Sequence, residues 1–248
     1  DNGNTYTDVV ANGLYINAGA SVGELGIGTN NPIDTRVSTV TARAGLGGIN
    51  LLEVDALTVG SVEVSGQSVG IDAAPMPSVD AQQTGIYTTA GSIVIQTLAG
   101  DLTLNDGGGD GAGAAASANG SGNLLLQTLG AATAINVNAA LLSETGHITI
   151  ISASDVSLSS DSAVPTAGSG TIYVEASAGD FSQLGSSLIT SADGDVRILA
   201  SENISLVGVR TNADTSLIAT NGSINGSTSL DHIDIQAAGL RIVAAAGV

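Results

Sequence analysis

Two histidines, five arginines and 23 acidic residues supply nearly all the charged chemistry in this 248-residue sequence, which has no cysteine. Asp231 and His232 stand side by side, a carboxylate next to an imidazole, and His147 is the other histidine. On a repetitive β framework the reaction such groups would serve is cleavage of acidic polysaccharides. That chemistry needs an Asp cluster, often holding calcium, with an Arg or Lys base, or a pair of carboxylates for hydrolysis. The arginines Arg36, Arg43, Arg197, Arg210 and Arg241 share no spacing, and no nucleophile motif accompanies Asp231-His232. Both histidines lie beside strand motifs, where an outward polar residue is expected. A formal charge of −18 would also repel an anionic glycan. The sequence therefore reads as a non-enzyme with no catalytic, cofactor-binding or metal residues assigned. A polysaccharide lyase or hydrolase is the distant alternative.

Asp106 and Asp110, in a Gly-rich stretch, resemble one turn of a calcium-binding repeat. Calcium rolls iterate Gly-Gly-x-Gly-x-Asp many times and here it occurs barely once, so a loop is the preferred reading and calcium the open alternative. Asp101, Asp180 and Asp195 each follow a glycine and could align on one face; turn chemistry explains them equally well, because Asp bonds to its own backbone in turns. Asn119, Asn203, Asn221 and Asn225 each open an Asn-x-Ser triplet that could accept a glycan, although Ser- and Asn-rich sequences generate such triplets readily.

The elements that would carry these residues are legible from composition and period. Apolar residues make up 43%, yet there are one Phe, four Tyr, one Met and no Trp. Val, Ile, Leu and Ala must therefore build the core, which suits a narrow, regular interior better than an irregular one. The imbalance of charge excludes nucleic acid as a partner, since phosphate binding needs clustered cations. It likewise disfavours an anionic membrane surface. No stretch reaches the roughly 20 apolar residues of a membrane helix, so no membrane insertion is expected. The sequence opens on Asp1 without a signal-peptide pattern and reads as a mature or excised segment.

A motif of glycine, a polar residue, an aliphatic, any residue and a second aliphatic recurs along the chain. Copies begin at Gly91, Gly100, Gly122, Gly146, Gly170 and Gly194, and the last four are spaced 24 residues apart. A constant period in this range marks a solenoid. Eight to ten positions after a motif comes a second alternating pair, such as Val156-Ser157-Leu158 or Ile204-Ser205-Leu206, with Phe181 in the matching place after Ile172. Alternation of apolar and polar residues is the signature of a strand with one buried face. Short turns and no helical stripe complete the pattern of an all-β parallel β-helix (β-solenoid) with rungs of about 24 residues. About ten rungs at ~4.8 Å each predict a rod on the order of 50 Å. One domain spanning 1–248 is expected, with irregular loops near 72–85, around Pro75, Met76 and Pro77, and near 105–121.

Residues 23–64 carry Gly26-Ile27-Gly28-Thr29-Asn30-Asn31-Pro32-Ile33, then Gly47-Gly48-Ile49-Asn50-Leu51 and Leu57-Thr58-Val59-Gly60. This resembles the repeats of giant bacterial exoproteins of the filamentous haemagglutinin type, and Gly100-Asp101-Leu102-Thr103-Leu104 and Gly146-His147-Ile148-Thr149-Ile150 are similar to rungs of that family. The pattern extends over most of the chain, but motif specificity is confined to 25–64. The resemblance implies a right-handed coil, export to the cell surface or medium, and structural or adhesive roles. Partners would be neighbouring repeats or other copies end to end, and host or cell-surface glycans. The alternative is a subunit of an extracellular filament or sheath assembled end to end; the apolar run 240–248 has no polar cap.

Overall fold

Ile, Leu and Val at every second position drive short strands whose apolar side must be covered, and each turn of chain covers the one before it. The structure, a computed structural model, describes residues 7–28, 30–106, 113–227 and 233–248. Among them, 25 strands form one continuous sheet in which every pairing is parallel, and there is no helix. The chain is a parallel β-helix with three faces per turn.

Face A contains Gly48–Glu53, Ile93–Thr97, Leu124–Thr128, Ile148–Ser152, Ile172–Ala176, Val196–Ala200, Asp214–Ala219 and Gly239–Ala244, with Ser21–Val22 beneath. Its inward positions stack as Ile49, Ile93, Leu124, Ile148, Ile172 and Val196. Face B stacks Leu57, Leu102, Ile135, Val156, Phe181, Ile204 and Ile224. Face C runs from Ile86–Thr88 through Ala114–Ala118, Ala140–Ser143, Ala163–Thr166 and Leu188–Ser191 to Val209–Arg210 and Ile235–Gln236. The stacked residues make one contiguous core, nearly all of it fully buried. Phe181 occupies the face B ladder, as its spacing predicts.

The 24-residue period holds from Leu124 to Val196 and fails outside it. Val196 stacks on Thr215 after a shortened rung, and the lost length is made good by Gln183. This buried side chain donates to Gly208 O (2.9 Å) and accepts from Val207 N and Gly208 N (3.1 and 3.2 Å). Longer rungs at the other end reduce the stack on face A to nine strands joined by eight pairings. At ~4.8 Å per step the coil rises about 40 Å, below the value expected from ten even rungs.

The motif glycines explain themselves sterically. Gly122, Gly146, Gly170 and Gly194 stack at the corner entering face A, and a methyl group on any of them would collide with the carbonyl oxygen of the glycine one rung below. The hydroxyls ending face C donate to these same carbonyls: Ser143 to Gly122 (2.9 Å), Thr166 to Gly146 (2.8 Å), Ser191 to Gly170 (2.7 Å) and Thr211 to Gly194 (2.7 Å). Gly100 belongs elsewhere. Its motif opens face B, and with φ +83° it lies over Ala56 N, 2.6 Å from where its Cβ would be.

Both segments expected to be irregular contain strands. Ser61–Val69 and Pro75–Thr84 form an antiparallel hairpin arm, the one antiparallel sheet among the described residues. Pro75 and Pro77 are tolerated because no third strand pairs with theirs. In the second segment Ala114–Ala118 is a fully buried strand of face C, where small side chains let the rung pass close to its neighbours; residues 107–112 lie outside the described residues.

Candidate functional site

Side chains at the turns between faces could either act on a ligand or satisfy the backbone, and their hydrogen bonds decide which. Entering face B, Asp101 Oδ1 accepts from Ala134 N (2.8 Å), Asp155 Oδ1 from Asp180 N (2.8 Å), Asp180 Oδ1 from Asn203 N (2.7 Å) and Asn203 Oδ1 from Ser223 N (2.9 Å). Each side chain thus caps an amide of the next rung. Asp101 and Asp180 share this ladder, whereas Asp195 stands at the corner entering face A, accepting from Asp214 N (3.1 Å). The alignment of all three on one face is therefore corrected to two corners.

His147 belongs to the face A corner. Asn123 Oδ1 accepts from His147 N (2.8 Å), and His147 Nδ1 accepts from Thr171 N (3.1 Å), with Thr171 Oγ1 2.8 Å away. An amide can only donate, so Nδ1 is an acceptor and the ring proton sits on Nε2. That arrangement leaves no free lone pair for a general base. Asp231, His232 and Asp110 lie outside the described residues.

The arginines remain dispersed. Arg36 pairs with Asp55 at 3.4 Å, Arg43 lies 5.8 Å from the centroid of the Tyr87 ring, and Arg197, Arg210 and Arg241 project from the C-terminal rungs. Asp106 borders an open pocket with Asn105, Asn138 and Asp161. No group of three or more acidic or histidine side chains among the described residues is arranged to hold a metal ion. Of the Asn-x-Ser residues, Asn203, Asn221 and Asn225 are exposed, and Asn119 is half-buried, its amide donating to Thr88 O (2.7 Å).

Two features escaped the sequence reading. Glu53 is fully buried without a cation, its carboxylate accepting from Thr35 Oγ1 (2.7 Å), Val37 N (3.0 Å) and Asp55 N (3.2 Å). It pins the bend of the long strand Ile33–Ala44, which alone pairs with strands of all three faces. The alternation Ile49, Leu51, Glu53 was the available signal, since it aims Glu53 inward. Tyr173 donates to Glu175 Oε2 (2.6 Å), and burial, reinforced by that bond and the carboxylate charge, pushes its hydroxyl up to about 12. Near the first rung, burial and then the charge of Asp8 raise the carboxyl of Asp34 above its ordinary value.

Face B presents a polar outward surface. Thr58, Thr103, Asn136, Ser157, Ser182, Ser205 and Asn225 form its outward column, and Ser157 Oγ donates to Asn136 Oδ1 (3.0 Å). Beside the Asp155-Asp180-Asn203 ladder the part of this column from Asn136 to Asn225 lines a shallow groove of about 420 Å³. It offers hydroxyls, amides and carboxylates at the repeat of the rungs and could bind a polymer of hydroxyl groups.

No family model matches the sequence, and comparison with curated proteins and with solved structures gives no match.

Proposed function

We propose that this chain is a structural or adhesive β-solenoid segment of a large bacterial protein at the cell surface or outside the cell, and not an enzyme. The observation that carries this reading is the double tie between rungs. Every face is joined by parallel ladders, and the corners are joined again by Asp, Asn, Ser and His side chains that cap the next rung. Such a coil resists bending and extension along its axis and presents the same polar columns at each step, which suits a stalk or a repetitive binding surface. The groove on face B supports glycans as the adhesive partner, its hydroxyl and amide groups matching the donors and acceptors of a neutral sugar chain.

Immunogold labelling of intact cells with antibody against this chain tests the location, and binding of the labelled protein to neutral and acidic glycans tests adhesion. Surface label with retention on neutral glycans is expected. Label confined to the cytoplasm, or turnover of a polysaccharide by the purified protein, overturns the reading.

A further inference from the structure

The two edges of the hairpin arm differ in what they offer a further strand. The base of the arm is closed by Gly85 N donating to Gly60 O (3.0 Å). It is seated on the coil by Val62, which packs on Gly13, and by Gln83 Nε2, which donates to Ile16 O (2.9 Å). At the tip Gly70 N donates to Ala74 O (2.9 Å). In an antiparallel pair such bonded positions alternate with positions whose N–H and C=O point away from the partner strand. Continuing down the register, Ser68 with Met76 and Gly66 with Ser78 are bonded inward, while Val69 with Pro75, Gln67 with Pro77 and Ser65 with Val79 point outward.

Pro75 and Pro77 therefore sit where the hairpin does not need their missing N–H, and they strip the outward donors from most of the second strand's edge. Proline at an edge bars the addition of another strand. The first strand has no such guard. Ser65, Gln67 and Val69 each present an outward N–H and C=O, no third strand pairs with them, and residues 64–71 contain neither proline nor charge. Residues 63–69 are all exposed.

Beside this open edge, at its base, lies a groove of about 390 Å³ lined by Asn12, Gly13, Thr39, Val62, Val64 and Ser65, and by no residue of the second strand. Gly13 pairs with Thr39 and Thr39 with Thr58, an outward residue of face B, so the groove is on the flank of the coil. The register also places Val69, Pro75, Pro77 and Val79 on one face of the arm, opposite that of Val62, with Val69 and Val79 exposed. A two-stranded hairpin is marginal in water, whereas three strands with an apolar face are not. Charge selects the partner: the arm carries Glu63, Asp72 and Asp80 and no cation, in a chain of charge −18. A second copy would bring another acidic arm, and a basic strand is favoured over it.

We propose that the open edge of the first arm strand is a docking site for an extended basic peptide segment of a partner protein. The segment adds as a third strand along residues 63–69, its β-branched residues continuing the apolar face and a cation lying beside Glu63. This site is separate from the groove on face B and does not require that groove to bind glycans.

The probe is the fluorescently labelled octapeptide acetyl-KTVTVTVK-amide, with acetyl-ETVTVTVE-amide as control, read by anisotropy on the whole chain. The basic peptide is expected to bind at least about tenfold more tightly than the acidic one. Gln67→Pro removes only an outward N–H, as Pro77 does opposite it, so the melting temperature persists while peptide binding weakens about tenfold or more. Amide exchange followed by NMR reads the same edge. In the free protein, 66, 68 and 70 are protected and 65, 67 and 69 exchange; saturating basic peptide protects the second set. No binding, equal binding of the two peptides, undiminished binding to a folded Gln67→Pro protein, or edge amides indifferent to peptide each overturn the proposal. Protection of 65, 67 and 69 that rises with protein concentration alone assigns the edge to a second copy and overturns it equally.

Discussion

Replacing Gly146 with alanine puts a methyl carbon against the carbonyl oxygen of Gly122, one rung below. The obstacle is backbone, which cannot rotate away as a side-chain end could. Relief requires the two rungs to part at this corner by several tenths of an ångström to an ångström, and the same carbonyl holds the hydrogen bond from Ser143 Oγ at 2.9 Å. Forcing an extra carbon into a packed interior costs about 1–3 kcal/mol, and weakening a buried hydrogen bond adds about 0.5–1.5 kcal/mol. Restricting the unfolded chain returns about 0.4–1 kcal/mol, so a net loss of about 2–3 kcal/mol is expected. At ~2–4 °C per kcal/mol for a chain of this size, the melting temperature falls by roughly 5–10 °C. Circular dichroism measures the melting, and hydrogen exchange localises the loss to amides of the rungs on either side of 146. Gly66→Ala is the control, because nothing lies within 4 Å of its added carbon and its φ is not positive. A Gly146→Ala protein that melts with the control refutes the stacked-glycine account of the motif.

Gln183→Leu removes the side chain that serves Val207 N and both polar groups of Gly208. It should cost about 2–4 kcal/mol in urea unfolding, with exchange protection lost first at 207–208; an unchanged midpoint refutes its bridging role. In an alkaline titration followed at 295 nm, Tyr173 should ionise near pH 12, and Glu175→Gln should lower that step. Since its folded value lies above its ordinary value of 10.0, the stabilisation is complete below pH 10 and is lost as pH rises through about 12. Asp101→Asn, Asp155→Asn and Asp180→Asn together keep every capping oxygen, so the melting temperature should stay the same or rise slightly, while solubility at low salt falls. A large loss of stability would show that the charge, and not the acceptor, holds the corner.

The period and the alternation made the core legible: Ile148, Ile150, Val156 and Leu158 are inward because their spacing allows nothing else. What escaped were the departures from the period. A 24-residue spacing has no means of announcing the shortened rung after Val196, because the compensating residue, Gln183, reads locally as one more polar strand end. The arm was hidden for the opposite reason. Pro75 and Pro77 signal a break in a paired strand, and only an isolated hairpin with an open edge accommodates them. The candidate residues were seen but their role was not, since Asp101 and Asp180 look alike whether they face a cation or cap an amide on the next rung, 33 and 23 residues away.

That capping role bears on the charge of the molecule. Asn123 and Asn203 perform the same task as Asp155 and Asp195, with similar distances to the next rung. The hydrogen bond therefore asks for an oxygen and is indifferent to its charge, so folding does not explain why carboxylates occupy so many corners. Stacked carboxylates one rung apart repel each other, and this makes the coil slightly less stable than an Asn ladder would. The gain lies between molecules: a β-solenoid repeats identical polar columns, and neutral columns would align with those of a neighbouring rod. A row of like charges along the corner opposes that side-by-side contact over its whole length.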